Sequence, residues 1–191
     1  MTFDGTSYES YCFCSTIRTV KATHILSDLE LALLGFIREE PRSGYVLRKA
    51  IADFPQISDS PGAIYPALRR LRSGGLIDCH AGTTGRKTEV FRVTPAGRRA
   101  LRATLEAAPS DRESAMRQML RLTFLDLELD QAAVAQFLQA CSRVAEERAE
   151  KLRTRRAVLD RGSAGLAMEH ELEMEIARAR WADRAAKRLK R

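Results

Sequence analysis

The sequence has few of the residues from which catalytic sites are usually built. Its 191 residues include only three histidines, His24, His80 and His170, and these lie far apart along the chain. No glycine-rich phosphate loop precedes a helix, and no cluster of carboxylates suits acid–base chemistry. We therefore predict that the protein is not an enzyme and that it needs no cofactor.

Long apolar runs are also missing. No stretch approaches the length of about 20 residues that a membrane-spanning helix needs. The first residues, MTFDGTSYES, lack the basic and then apolar layout of a signal peptide. We expect a cytoplasmic protein that has no membrane partner.

Cysteine is too scarce for a disulfide framework, because the whole chain has only four. Cys12 and Cys14 form a C-x-C pair, which leaves open a metal- or redox-responsive regulator. Two thiolates fall short of a tetrahedral ligand set, however, and His24 is the only nearby imidazole. We expect no metal site. Residues 1–24 show no helical or strand period, and we expect them to form a disordered leader.

Acidic residues are scarce in one segment. Lys and Arg total 32 against 25 acids in the whole chain, a formal net charge of +7. Between Ser60 and Arg102, nine basic residues face only two acids, Asp78 and Glu89, so this segment alone has a surplus of seven. A local cationic surplus of this kind is typical of a surface that neutralises nucleic-acid phosphates.

Helix-start signals divide the first half of the chain into short helices. Ser27 and Glu30 form a capping box, and Ser43 can cap a second helix. Ser60-Pro61 and Thr94-Pro95 each place a cap before a proline at the first helical position. The predicted helices cover residues 28–38, 44–54, 61 to the Gly74-Gly75 break, and 95–107.

The third helix has two distinct faces. Ile64, Leu68 and Leu71 predict a buried face, whereas Tyr65, Arg69 and Arg72 at the same spacing predict an outward face. The small residues Gly62 and Ala63 would let the start of the helix approach an anionic backbone. Pro66 removes a helical hydrogen bond, so we expect an irregular first turn or a later start.

Two strands are predicted directly after this helix, at residues 76–80 and 89–93. Residues 81–88 between them contain two glycines and the adjacent cations Arg86 and Lys87. A helix followed at once by a hairpin is typical of a winged helix-turn-helix. Two cations at the tip of the hairpin suit contact with a phosphate strand or a groove.

Beyond Pro109 the pattern is helical, with apolar stripes in 111–127, in 131–159 after the cap Asp130, and in 166–188. Two long antiparallel helices cannot bury such stripes against one small domain, so we expect them to pack against a second copy. The predicted dimerisation residues are Met116, Leu120, Val134, Phe137, Leu138, Cys141, Leu172, Ile176 and Trp181.

Three blocks of sequence resemble the PadR-like transcriptional regulators. They are LALLGFIREEPRSGYVL, SPGAIYPALRRLRSGGLI and GRKTEVFRVTPAGRRAL, and the resemblance covers about Leu29 to Leu105. It implies a homodimer, usually a repressor, that binds an inverted-repeat operator and is released by a small-molecule effector or another signal. By the same resemblance, Ser60 to Tyr65, Arg69 and Arg70 lie on the recognition helix. Gly85, Arg86 and Lys87 lie on the wing.

The expected architecture is mainly α with a small β-hairpin wing. It has a winged helix-turn-helix DNA-binding domain over residues 25–108 and a C-terminal helical dimerisation domain over residues 111–189. Two points stay open: whether Tyr65 is half-buried or contacts DNA, and whether the winged domain serves protein–protein assembly instead. The predicted contacts with double-stranded DNA are Ser43, Tyr45, Ser60, Gly62, Ala63, Tyr65, Arg69, Arg70, Arg86 and Lys87.

Overall fold

The computed structural model describes residues 25–54, 57–81, 89–156 and 162–190. These parts of the chain are mainly helical with one small sheet, which confirms the predicted fold class. The helices are α1 (Asp28–Glu39), α2 (Gly44–Ile51), α3 (Pro61–Ser73), α4 (Pro95–Glu106), α5 (Ala115–Phe124), α6 (Gln131–Arg156) and α7 (Ser163–Leu189). The strands are β1 (Arg42–Ser43), β2 (Ile77–Ala81) and β3 (Glu89–Val93), and a 3₁₀ turn covers Leu125–Leu127. None of the helices in the described parts is long and apolar enough to span a membrane.

Side-chain caps fix the starts of the helices. In the predicted capping box, the Glu30 amide donates to Ser27 Oγ at 3.3 Å and the Ser27 amide donates to Glu30 Oε2 at 3.0 Å. Ser43, Ser60 and Thr94 each accept a hydrogen bond from the third helical amide. Each cap satisfies an amide that has no partner within its own helix, so the sequence alone located these starts well.

The third helix is more regular than the sequence predicts. It begins at Pro61, and the Ile64 amide already donates to the Ser60 carbonyl at 3.0 Å. The expected irregular turn or late start is therefore wrong. Pro66 lacks an amide hydrogen, so the carbonyl of Gly62 loses its helical partner. Gly62 is exposed, and water can take that place.

The sheet contains the predicted hairpin and one strand more. Its order is β1-β3-β2, with all strands antiparallel. In the hairpin, Ile77 lies opposite Val93. On the other side of β3, Arg42 lies opposite Phe91 and Ser43 opposite Val90. Strand β1 is not predictable from the sequence, because two residues carry no alternating pattern.

The hydrophobic core continues from α1 into the helices that follow residue 109. Phe124 is fully buried and its ring lies over Gly35 of α1, where an added Cβ would come within 2.6 Å of the ring carbon Cγ. The same ring makes an edge contact with Phe36, with centroids 5.2 Å apart. The end of α5 therefore packs directly against α1.

Helices α6 and α7 form an antiparallel pair. Ser142 Oγ donates to the Ala179 carbonyl at 3.0 Å, whereas Arg148 lies 3.8 Å from Glu175, so residues later in α6 meet residues earlier in α7. Small side chains such as Ala145 and Ala182 are buried along the seam. Their size lets the two backbones approach closely.

Candidate nucleic-acid interface

The start of α3 is open to its surroundings. Ser60 Oγ accepts a hydrogen bond from the Ala63 amide at 3.2 Å. Gly62 is exposed, and a Cβ added there would meet no atom within 4 Å. Ala63 is half-buried. The uncapped amides of this turn, together with the positive end of the helix dipole, suit an approaching anion.

Tyr65 lies on the surface beside α2. Its side chain is 45% exposed, and its ring packs so closely on Gly44 that a Cβ there would lie 2.9 Å from a ring carbon. Gly44 also starts α2, with Ser43 Oγ accepting from the Val46 amide at 3.4 Å. The tyrosine is therefore half-exposed rather than part of the core.

The exposed side of α2 extends this surface. Tyr45 is 66% exposed, and the guanidinium of Arg48 lies 5.7 Å from the centre of its ring. Lys49 is exposed next to it. Arg48 and Lys49 are not among the predicted DNA contacts, although their spacing of three and four residues from Tyr45 is a usable signal for a shared helix face.

The two neighbouring arginines of α3 have different surroundings. Arg70 Nε donates to Glu30 Oε1 at 2.8 Å, and this carboxylate, in the first turn of α1, is almost fully buried. Burial raises the pKa of Glu30, but hydrogen bonds from Ser27 and Arg70 outweigh that effect and hold the pKa below its usual range. Arg69 is exposed and has no ion-pair partner within the described parts of the chain. Arg70 therefore also ties α3 to α1, whereas Arg69 does not.

Arg86 and Lys87 lie outside the described residues. The strands that lead to them carry the exposed residues Asp78, His80 and Arg92, and His80 lies 3.2 Å from Asp78.

Most of the predicted dimerisation residues pack inside the single chain. Met116 and Ile176 are half-buried and Trp181 is 39% exposed. Trp181 shares an outward face of α7 with Leu166, 69% exposed, and Met174, 39% exposed, whereas Ala179 and Ala182 face α6. The buried set is Leu120, Val134, Phe137, Leu138, Cys141 and Leu172.

The described cysteines do not form a reactive or metal-binding site. Cys79 and Cys141 are free thiols, and burial raises the pKa of Cys141 to about 11. Within the described ranges, no group of three or more His, Cys, Asp or Glu residues is placed to hold a metal ion. Cys12 and Cys14 lie outside these ranges.

Residues 33–103 match the model of the transcriptional regulator PadR-like family. No curated protein matches the chain. Among solved structures, PadR of Bacillus subtilis in complex with operator DNA is 19% identical, with 86% of this chain and 99% of that chain covered and a TM-score of 0.40. The PadR-like regulator BC1756 of Bacillus cereus is 16% identical, with 88% and 99% covered and a TM-score of 0.41. Protein smu.1604c of Streptococcus mutans is 19% identical, with 83% and 96% covered and a TM-score of 0.37.

Proposed function

Since residues 33–103 match the model of the transcriptional regulator PadR-like family, we propose that the chain is a regulator of this kind and that it binds double-stranded DNA through the start of α3. The observation that carries the proposal is the open turn at Gly62, which can enter a groove without meeting another part of the protein. In helix-turn-helix proteins, the N-terminal residues of the motif's second helix contact base edges. In this chain that helix is α3. Ser60, Gly62 and Ala63 are the residues proposed for this role.

Contacts with phosphates would surround this turn. Tyr45 and Arg48 on α2, with Ser43 at its start, form one flank, and Tyr65 and Arg69 form the other. These groups fix the position of the protein on DNA without reading its sequence. Arg70 would add its terminal nitrogens, since its Nε is used by Glu30 but its side chain is 56% exposed. Arg86 and Lys87 would contact the flanking backbone from the wing.

The proposed active form is a homodimer on an inverted-repeat operator. The outward face of α7 with Leu166, Met174 and Trp181 supports it, because aligned exposed apolar residues are typical of an interaction surface. A second copy would meet these residues first, and the half-buried Met116 and Ile176 are also proposed to contact it. The six buried members of the predicted set would support the interface from within the chain.

Repression and release by a small-molecule effector complete the proposal, and the site of action would be the cytoplasm. A cavity of about 600 Å³ between α4 and α6 is large enough for such a ligand. Its walls include Leu105, Pro109, Leu129, Phe137 and Ala140. A ligand bound there would touch α4, which belongs to the proposed DNA-binding half (α1 to α4 with the sheet), and α6, the first of the two long helices.

The decisive test compares Gly62→Phe with Ala132→Phe. Both residues are exposed at the second position of a helix, α3 and α6 respectively. Neither substitution should change the midpoint of thermal unfolding by more than a few degrees. Fluorescence anisotropy measures binding to a pool of random duplexes at low salt. This binding should be lost only in Gly62→Phe. Equal binding by both variants would exclude α3 as the reading helix, and a wild type that binds no duplex would favour protein–protein assembly.

A further inference from the structure

Glu128 occupies the joint between the DNA-binding half and the long helices. It follows the 3₁₀ turn Leu125–Leu127 and comes two residues before Asp130, whose carboxylate accepts a hydrogen bond from the Ala133 amide at 2.8 Å and so starts α6. The Glu128 side chain has no exposed surface. Any constraint on this residue is therefore a constraint on the base of α6.

Two arginines from the DNA-binding half hold this carboxylate. Arg38, near the end of α1, donates from Nε to Oε1 at 2.6 Å. Arg98, in the first turn of α4, donates from Nε to both oxygens at 3.1 and 3.0 Å. Both arginines are partly exposed, so the buried acid is joined to two cations that reach solvent. Three separate elements thus meet at one side chain.

The contact is directional in a way that the surrounding apolar packing is not. Burial of Phe124 and Leu125 holds the turn against α1, but hydrophobic contact has no preferred direction. The planar guanidinium group, in contrast, presents its donors in a fixed geometry. Two guanidinium groups from different helices therefore define the orientation of the Glu128 side chain and of the turn that carries it.

A small change in this orientation is amplified along α6. With 26 residues, α6 is about 39 Å long at a rise of 1.5 Å per residue. A rotation of about 10° at its base would displace its far end by roughly 7 Å, about two base-pair steps of 3.4 Å. In a symmetric dimer that joins through the long helices, the distance between the two copies of α3 would change accordingly.

We propose that Glu128 is a positioning residue that sets the separation of the two DNA-reading helices, and so the half-site spacing that the dimer accepts. The proposal rests on the DNA-binding homodimer described above. The Arg117–Asp28 ion pair, 2.6 Å long, provides a matched contrast. It also joins the helices after residue 109 to α1. Its arginine, however, lies on α5, before the 3₁₀ turn, so the pair does not hold the base of α6.

The test starts from duplexes that the wild type selects from a random pool. The central spacer of a selected site is then lengthened and shortened one base pair at a time. The wild type and Asp28→Asn should each lose about tenfold or more in affinity away from the preferred spacing. Glu128→Gln should bind all spacings within about threefold of one another, or prefer a new one, and should keep the wild-type affinity for a single half-site. An unchanged spacing profile in Glu128→Gln would overturn the proposal.

A second variant and a second measurement keep the proposal falsifiable. If Glu128→Gln does not fold, Arg98→Gln removes the exposed partner and should relax the spacing in the same way. If the wild type binds no duplex, the proposed function fails, but the joint can still be tested. Nitroxides on non-natural residues at positions 72 and 147, on α3 and α6, should show a broader distance distribution in Glu128→Gln than in the wild type. Equal widths would refute the positioning role.

Discussion

At the scale of single residues, Gly97 leaves almost no room for a side chain. A Cβ there would lie 2.9 Å from the carbonyl carbon of Leu76, closer still to its oxygen, and 3.0 Å from Cγ1 of Val93. The start of α4 cannot withdraw, because the Thr94 amide donates to the Leu76 carbonyl at 3.0 Å and its hydroxyl to Gly75 at 2.6 Å. The Thr94-Pro95 cap can be recognised in the sequence, but this contact between Gly97 and Leu76 cannot.

We expect Gly97→Ala to lower the free energy of unfolding by about 2–3 kcal/mol, the usual cost of overpacking a close contact. Gly62→Ala is the matched control, since its Cβ would meet no atom within 4 Å. That change should leave the free energy of unfolding unchanged or raise it by up to about 1 kcal/mol, because alanine restricts the unfolded chain more than glycine. Urea unfolding of both variants checks the contrast, and equal effects would contradict it.

The arginine pair of α3 gives a second contrast at this scale. Loss of Arg70 would leave the buried Glu30 carboxylate without one of its hydrogen bonds, so Arg70→Gln should cost about 1–3 kcal/mol at neutral pH. Arg69→Gln should leave stability unchanged and should weaken binding to all duplexes alike, with the salt slope reduced by about one. Unfolding curves and anisotropy titrations at several salt concentrations would measure both effects. A stability loss in Arg69→Gln as large as that in Arg70→Gln would refute the distinction.

The same pair predicts a dependence on pH. The pKa of Glu30 is lower in the folded state than its ordinary value, so its contribution is present at neutral pH and is lost as the pH falls through the folded value. The difference in stability between the wild type and Arg70→Gln should therefore shrink as the pH falls below about 4. Unfolding measurements between pH 7 and pH 3 would show it. A constant difference would mean that Arg70 acts through packing and not through the Glu30 charge.

At the scale of helices and strands, local chemistry made most of the starts predictable. Ser27, Ser43, Ser60 and Thr94 act within three residues of themselves, so their caps can be read from sequence. The contacts between Arg70 and Glu30, 40 residues apart, and between Arg38 and Glu128, 90 residues apart, cannot. Nor does an apolar stripe reveal its partner, which is why residues expected at a dimer surface lie inside the chain.

The packing of α5 on α1 predicts how the chain tolerates truncation. A chain that ends after Pro109 would leave Gly35 and Phe36 without Phe124, a fully buried ring whose removal typically costs about 3–5 kcal/mol. We expect that chain to unfold at low temperature or without a sharp transition. A chain that ends after Asp130 keeps α5 and the 3₁₀ turn, and it should unfold cooperatively as a monomer. Circular dichroism on heating compares the two, and similar stability would show that α5 is dispensable for the DNA-binding half.

At the scale of the whole molecule, the local cationic surplus and the outward face of α7 have separate tasks in the proposed dimer. The surplus between Ser60 and Arg102 would supply affinity for any duplex, whereas pairing through α7 would supply selectivity for two half-sites.

We therefore expect Trp181→Glu, which places a charge in the apolar face, to yield monomers at concentrations where the wild type is dimeric. These monomers should keep the helical content of the wild type and weak binding to random duplexes, but should lose tight binding to a selected inverted repeat. Glu147→Lys, at an exposed position of α6, is the control and should change neither property. Sedimentation velocity gives the oligomeric state and anisotropy the affinities, and a Trp181→Glu protein that stays dimeric and binds the inverted repeat tightly would place the interface on another face.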